Sequence, residues 1–287
     1  MAHSSFWRKQ KTLKESISFS GIGVHTGCSV TLSFLPAKEG TGLVFERVDL
    51  PGKPRIPASV EYVVDTARST ALGIGSVRIN TVEHVLAALH ACGIDNAVLQ
   101  VSAAEMPIGD GSSLPFIKMI EEAGVVEQSA QKPIFQLTEP LYYSAGDIHI
   151  VALPSPEYRI SYTLHYPGSE ALKSQYTSHI ITEDSFKKEL ASCRTFALYN
   201  EISQLMDRGL IRGGSLENAV VIKDDVIFSK DGLKFPDEMA RHKVLDMVGD
   251  LALVGLPFQA HIIAIKSGHQ ANTAFAKIIY NALSRRT

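Results

Sequence analysis

The sequence predicts an α+β fold made of two repeated helix-on-sheet domains that form a layered sandwich. Three observations carry the prediction. The chain has 287 residues, 45% of them hydrophobic and 20% charged, enough apolar material for a substantial core but more length than one core usually organises. The order helix, glycine, strand, loop, helix occurs twice, over residues 81–123 and again over 236–283. Upstream of each unit stands a similar pentapeptide, Arg68-Ser69-Thr70-Ala71-Leu72 in the first and Arg194-Thr195-Phe196-Ala197-Leu198 in the second. Counting back nine residues from the closing glycines, Gly93 and Gly255, lands on His84 and Asp246. The equivalent helices are therefore expected to face each other.

Taken in order, residues 12–19 and 28–34 alternate loosely and read as paired strands around the turn Gly21-Ile22-Gly23-Val24-His25-Thr26-Gly27. That turn has no P-loop lysine and no helix after it, so it reads as a tight connection rather than a phosphate cradle. Thr81 is placed to cap a helix whose Val82, Val85, Leu86 and Leu89 form one apolar stripe and which Gly93 ends. Residues 96–101 read as a strand and 114–123 as a second helix, with the loop Pro107-Ile108-Gly109-Asp110-Gly111-Ser112-Ser113 between them. The polar run 127–133 is the best linker. It divides the chain into an N-terminal α+β domain over 1–127, supplying Glu83 and His84, and a C-terminal one over 133–287. In the second domain 236–254 is a helix, 258–265 a strand, 266–269 a glycine-bearing loop and 270–283 the last helix.

Composition excludes several classes. With 28 basic and 30 acidic residues the formal net charge is −2, which offers no global attraction for nucleic acid or an anionic membrane. Cys28, Cys92 and Cys193 are odd in number and lack CxxC spacing, so neither a disulfide scaffold nor a thiolate zinc knuckle is expected. No apolar run approaches the roughly 20 residues of a membrane span, and residues 1–14 hold no apolar export segment. The expectation is a cytoplasmic monomer with no transmembrane segment and no nucleic-acid partner.

The chemistry gathers on the helix that contains Arg241-His242-Lys243-Val244-Leu245-Asp246-Met247-Val248-Gly249-Asp250. At roughly 100° per residue, His242, Asp246 and Asp250 fall within about 80° of one another, with Lys243 at their edge and the apolar residues opposite. An imidazole and a carboxylate at i and i+4 can both reach one cation. Such pairs are also common on solvated helix faces. In the matching helix of the first half, Glu83 and His84 both lie off the apolar stripe, which offers a third ligand and a free carboxylate. Three ligands and one free carboxylate make the inventory of a hydrolytic zinc site. His269, on a glycine-bearing loop after a buried strand, could donate a proton to a leaving group, with Asp250 to hold it charged. His3, His90, His149, His165, His179 and His261 have no evident partner set.

Six motifs in order, Thr81-Val82-Glu83-His84, Gly93-Ile94-Asp95-Asn96, Asp110-Gly111-Ser112, Arg194-Thr195-Phe196, Arg241-His242-Lys243-Val244-Leu245-Asp246 and Lys266-Ser267-Gly268-His269, together resemble the UDP-3-O-acyl-N-acetylglucosamine deacetylases. Gly23-Val24-His25-Thr26-Gly27 matches as well, and the resemblance covers nearly the whole chain. These are zinc amidases that hydrolyse the acetamide of UDP-3-O-acyl-N-acetylglucosamine to UDP-3-O-acyl-glucosamine and acetate, the committed step of lipid A biosynthesis. The resemblance implies zinc on His84, His242 and Asp246, Glu83 as general base and His269 as general acid. It further implies that Thr195 polarises the amide carbonyl or its oxyanion, that Asp250 supports His269 and that Lys243 lies in the substrate site. An insert at about 198–221 would form the acyl passage. Leu198, Ile202, Ile211, Gly214 and Ser215 are its candidate lining, while Leu205 and Leu210 add apolar surface, and Phe196 is a further substrate-binding candidate. Tyr166 is the candidate for the uracil. Residues 2–10 match nothing in the family pattern. On the residues alone two rivals stay open: another zinc amidase or esterase on the same scaffold, and a metal-free module that binds protein or nucleic acid.

Overall fold

The computed structural model describes residues 6–207 and 209–284. Strand β1 (Phe6–Leu13) is followed by β2 (Ile17–Ile22), β3 (Ser29–Pro36), β4 (Leu43–Arg47) and β5 (Arg55–Pro57). A small sheet of β6 (Val63–Asp65), β7 (Ala71–Ile74) and β8 (Val77–Ile79) leads into helix α1 (Glu83–Ala91), β9 (Ala97–Val101) and α2 (Leu114–Ala123). Strand β10 (Val125–Gln136) crosses to the second half, where β11 (Leu141–Ala145), β12 (Ile148–Leu153), β13 (Tyr158–Tyr166) and β14 (Lys173–Ile180) follow. Next come α3 (Glu183–Glu189), β15 (Phe196–Leu198), α4 (Tyr199–Asp207), β16 (Val220–Lys223) and β17 (Val226–Phe228). The chain closes with α5 (Glu238–Ala252), β18 (Phe258–Ile265) and α6 (His269–Ser284).

Strand pairing repeats between the halves. In the first sheet the order is β2-β3-β9-β4-β5, with β9 antiparallel to β3 and parallel to β4. In the second, β11-β12-β18-β13-β14 has the same neighbours and the same senses around β18. Each central strand follows a helix that ends on a left-handed glycine, Gly93 at φ 70° and Gly255 at φ 73°, a conformation that glycine adopts without strain. Along β3, Val30, Leu32 and Phe34 are buried while their neighbours face outward, the period-two pattern of a sheet with one wet face. Helices α1 and α5 lie against each other between the layers, and both are buried on nearly every side.

Three local expectations are corrected. Residues 12–19 do not form one strand: Leu13 ends β1, which pairs with β10, and Ile17 begins β2, which pairs with β3. Thr81 does not cap α1. Its backbone is left-handed at φ 62°, Val82 occupies the cap with no side-chain bond, and the Thr81 hydroxyl points to Glu105 instead. Finally, 127–133 is no coil. It lies within β10, joined antiparallel to β1 and, further on, parallel to β18.

Candidate metal centre and catalytic cleft

Gly249 lets α1 and α5 meet at close range, because a Cβ there would lie 2.0 Å from the Glu83 carbonyl oxygen. The crossing brings the His84 and His242 rings edge to face, with centroids 5.1 Å apart. Asp246, one turn beyond His242, sets Oδ1 at 3.3 Å from His242 Nε2 and 3.5 Å from His84 Nε2. The three buried residues thus present ligand atoms within 4.8 Å of one another. Their chemistry fits a divalent cation. Asp246 Oδ1 is buried without a hydrogen-bond partner, a costly state for a carboxylate oxygen unless something positive meets it. Burial pushes the His242 imidazole down to about 4, which leaves it neutral. With Nδ1 at 3.0 Å from the Cys193 carbonyl oxygen, that nitrogen carries the proton and Nε2 keeps its lone pair for a metal. Lys243 donates from Nζ to the other oxygen of Asp246 at 2.9 Å.

Beside this set Glu83 and His269 stand as a candidate proton-transfer pair. Glu83, the first residue of α1, is buried, and desolvation raises its carboxyl above the ordinary range against the pull of His269 and His84. Its Oε2 accepts the Thr70 N–H at 2.9 Å, and its Oε1 lies 4.0 Å from His269 Nε2. For His269, burial alone would depress the imidazole, but Asp250 and Glu83 outweigh it and raise it to about 9. Asp250 sits behind, with Oδ2 3.0 Å from His269 Nδ1 and also accepting from Asn272 Nδ2 at 2.9 Å. Its Oδ1 accepts the Thr70 hydroxyl at 2.5 Å. Thr70 therefore holds both carboxylates, one through its backbone and the other through its side chain.

Comparisons with known proteins give the chain's family. The chain matches, over residues 10–281, the family model described as LpxC, UDP-3-O-acyl N-acetylglycosamine deacetylase. Proteins named UDP-3-O-acyl-N-acetylglucosamine deacetylase from Chlamydia caviae and Chlamydia felis are each 54% identical to it over 276 residues, 96% of this chain and 98% of theirs. The one from Chlamydia pneumoniae is 52% identical over 277 residues, with the same coverage. The chain belongs to this deacetylase family.

In this member of the deacetylase family a cleft of about 1010 Å³ opens onto the candidate ligands and onto Glu83 and His269. Thr195 lines it, anchored by its N–H to the Gly111 carbonyl at 2.9 Å and by its own carbonyl, which accepts from Val220 N–H at 2.8 Å. The preceding residue, Arg194, is locked to Glu238 by a buried ion pair of 2.9 Å. Phe196 packs between Lys243, whose Nζ is 5.5 Å from the ring centroid, and Tyr166, whose ring centroid is 6.0 Å away. Leu198, Ile202, Ile211, Gly214 and Ser215 also line the cleft. Asp250 does not, and stands behind it against His269. Among the described residues no helix is long and apolar enough to cross a membrane.

Some groups of the deacetylase cleft escaped sequence reasoning. His25, read as part of a tight connection, lines the cleft with its Nδ1 buried and unpartnered. Its loop is pinned because the N–H groups of His25 and Thr26 both donate to the Glu105 carboxylate at 2.8 Å. Nothing local marks Glu105 as that partner. Thr70 and Asn272 were also missed. For Thr70 a signal existed, since it stands in the pentapeptide that echoes the one containing Thr195.

Proposed function

We propose that this chain hydrolyses the acetamide of UDP-3-O-acyl-N-acetylglucosamine to UDP-3-O-acyl-glucosamine and acetate, the committed step of lipid A biosynthesis, with zinc held by His84, His242 and Asp246. The observation that carries the reading is the convergence of those three ligand atoms within 4.8 Å in a cleft that also holds Glu83 and His269. Two imidazoles and a carboxylate suit zinc, which when bound supplies Lewis-acid activation of water and of the scissile carbonyl.

The side chains divide the remaining work. Glu83, made more basic by desolvation, takes a proton from the attacking water. His269, kept protonated by Asp250 and Glu83, gives a proton to the amine nitrogen as the C–N bond breaks. Thr195 donates its hydroxyl to the oxygen on which charge develops. Asp250 is a positioning residue that fixes His269 from behind. Lys243 and Phe196 beside it bind substrate, and Leu198, Ile202, Ile211, Gly214 and Ser215 receive the acyl chain. Tyr166 stacks on the uracil. On this reading residues 1–127 and 133–287 act as two domains of one cytoplasmic monomer, each giving part of the site.

The deciding experiment follows acetate release from the UDP-sugar with and without its 3-O-acyl chain, before and after chelation and zinc return. Turnover that requires the acyl chain and is restored by zinc is the expected result. Equal rates on both sugars would point to another amidase on this scaffold, and activity indifferent to chelation would remove the metal.

A further inference from the structure

Beyond the catalytic groups the cleft runs along the small sheet of β15, β16 and β17, and the side chains there follow a regular pattern. β15 and β16 are parallel, with Phe196 beside Val220 and Leu198 beside Ile222, and β17 returns with Phe228 beside Val221. Val220 and Ile222 are buried on one face. On the other, Ala219, Val221 and Lys223 line the cleft in alternation. The row starts next to the catalytic groups, since Val220 N–H donates to the Thr195 carbonyl. Four residues on from Ala219, about 13 Å at the usual rise of a strand, it ends on an ammonium. Lys223 Nζ lies 4.3 Å from the centroid of the Tyr199 ring, a cation–π distance that holds it in place. Tyr199 and Phe228 line the cleft and are 50% and 43% exposed. Here the apolar row meets solvent.

We propose that Lys223, held across this exit by Tyr199, sets the longest acyl chain from which the enzyme gains affinity, an inference that rests on the acyl-passage reading above. Up to Lys223 each added methylene leaves water for apolar side chains, worth about fourfold in kcat/KM. Beyond it, further methylenes must displace water from a strongly hydrated ammonium. The gain stops there. Lys223 is thus a specificity-determining residue that reads chain length rather than the sugar.

The test is a series of UDP-3-O-acyl-N-acetylglucosamines with saturated chains lengthened two carbons at a time, assayed on the zinc-loaded wild type and on Lys223→Met and Lys223→Arg. Zinc content and melting temperature are measured on the same preparations. In the wild type, kcat/KM should climb about fourfold per methylene and then break to a plateau. In Lys223→Met the climb should continue past that break, whereas Lys223→Arg should keep it. A Lys223→Met profile that breaks at the wild-type length overturns the proposal. So does a Lys223→Arg profile that shifts like the methionine variant, because bulk and not charge would then set the limit. A wild-type rate that is flat from the unacylated sugar to the longest chain overturns the acyl-passage reading itself, and this is seen before any variant is made.

Discussion

Asp250 Oδ2 stands 3.0 Å from His269 Nδ1, so a carboxylate that never lines the cleft fixes the orientation and the charge of an imidazole that does. His269 has its proton affinity raised to about 9, with burial opposing and Asp250 the strongest favourable influence, followed by Glu83. As the proposed general acid His269 must be protonated, so activity should be present below its pKa and lost as pH rises through it. Asp250→Asn keeps an acceptor but removes the charge. The basic limb of kcat/KM should move to lower pH by about one unit or more, each unit being ~1.4 kcal/mol of interaction. A bound dication lowers the limb in both proteins and leaves the direction of the difference intact. An unmoved basic limb would show that Asp250 serves the fold alone.

Glu83 and His269 should separate by limb. Desolvation raises Glu83, and as the base it must be ionised, so activity falls as pH drops through its pKa. Glu83→Gln should abolish the acidic limb and His269→Gln the basic one, each at a cost of about 10²–10⁴ in kcat. Both variants should retain stoichiometric metal. Loss of zinc from Glu83→Gln would make that carboxylate a ligand rather than a base.

How much of this was legible beforehand depends on the range of the interaction. The repeat could be read because helix, glycine and strand recur in order, and Gly93 and Gly255 are needed for a local reason, the left-handed turn after each helix. The polar edge of α5 could be read too, but its burial could not. His242, Asp246 and Asp250 resemble a solvated face in sequence, and only the packing of α1 and α6 over them takes them out of water. Residues 127–133 misled for the converse reason. No residue of β10 is fully buried, so its polar composition is that of a linker while its backbone is paired. His25 lay hidden because its position depends on Glu105, eighty residues away in the chain.

Metal content gives the third prediction. His242 contributes Nε2 to the converging set, and His242→Ala should lower bound zinc well below one equivalent and abolish turnover. Because metal binds the folded state, free zinc at a hundredfold excess over Kd should stabilise the wild type by about 2.7 kcal/mol and raise its melting temperature accordingly. The variant should show a much smaller rise. Full zinc retention by His242→Ala, measured by elemental analysis, would sink the ligand assignment.

Gly249 offers a structural test of the helix crossing. A Cβ at this position would stand 2.0 Å from the Glu83 carbonyl oxygen and 2.7 Å from its carbonyl carbon, and backbone cannot swing aside as a side chain does. Gly249→Ala should therefore force α1 and α5 apart, costing about 1–3 kcal/mol in stability. Since His84 and Asp246 sit on opposite sides of that crossing, zinc affinity should fall with it. A variant with wild-type melting and metal content would mean that the helices do not meet as closely as this geometry requires.

Gly214 tests whether the cleft beyond Phe196 serves the acyl chain. It lines the cleft, and a Cβ there would meet the Ile211 carbonyl oxygen at 3.2 Å, a tight contact that a few tenths of an ångström would relieve. The side chain of Gly214→Leu would then project into the passage. Each methylene denied its apolar site forfeits about 0.8 kcal/mol, so excluding several should lower kcat/KM on the long-acyl substrate by orders of magnitude. The slow deacetylation of unacylated UDP-N-acetylglucosamine should change little, because that substrate has no chain to obstruct. Measuring both substrates on one preparation separates obstruction from misfolding, which would lower the two together. Equal losses on both, with melting and zinc content intact, would place Gly214 in the service of the catalytic groups rather than the lipid.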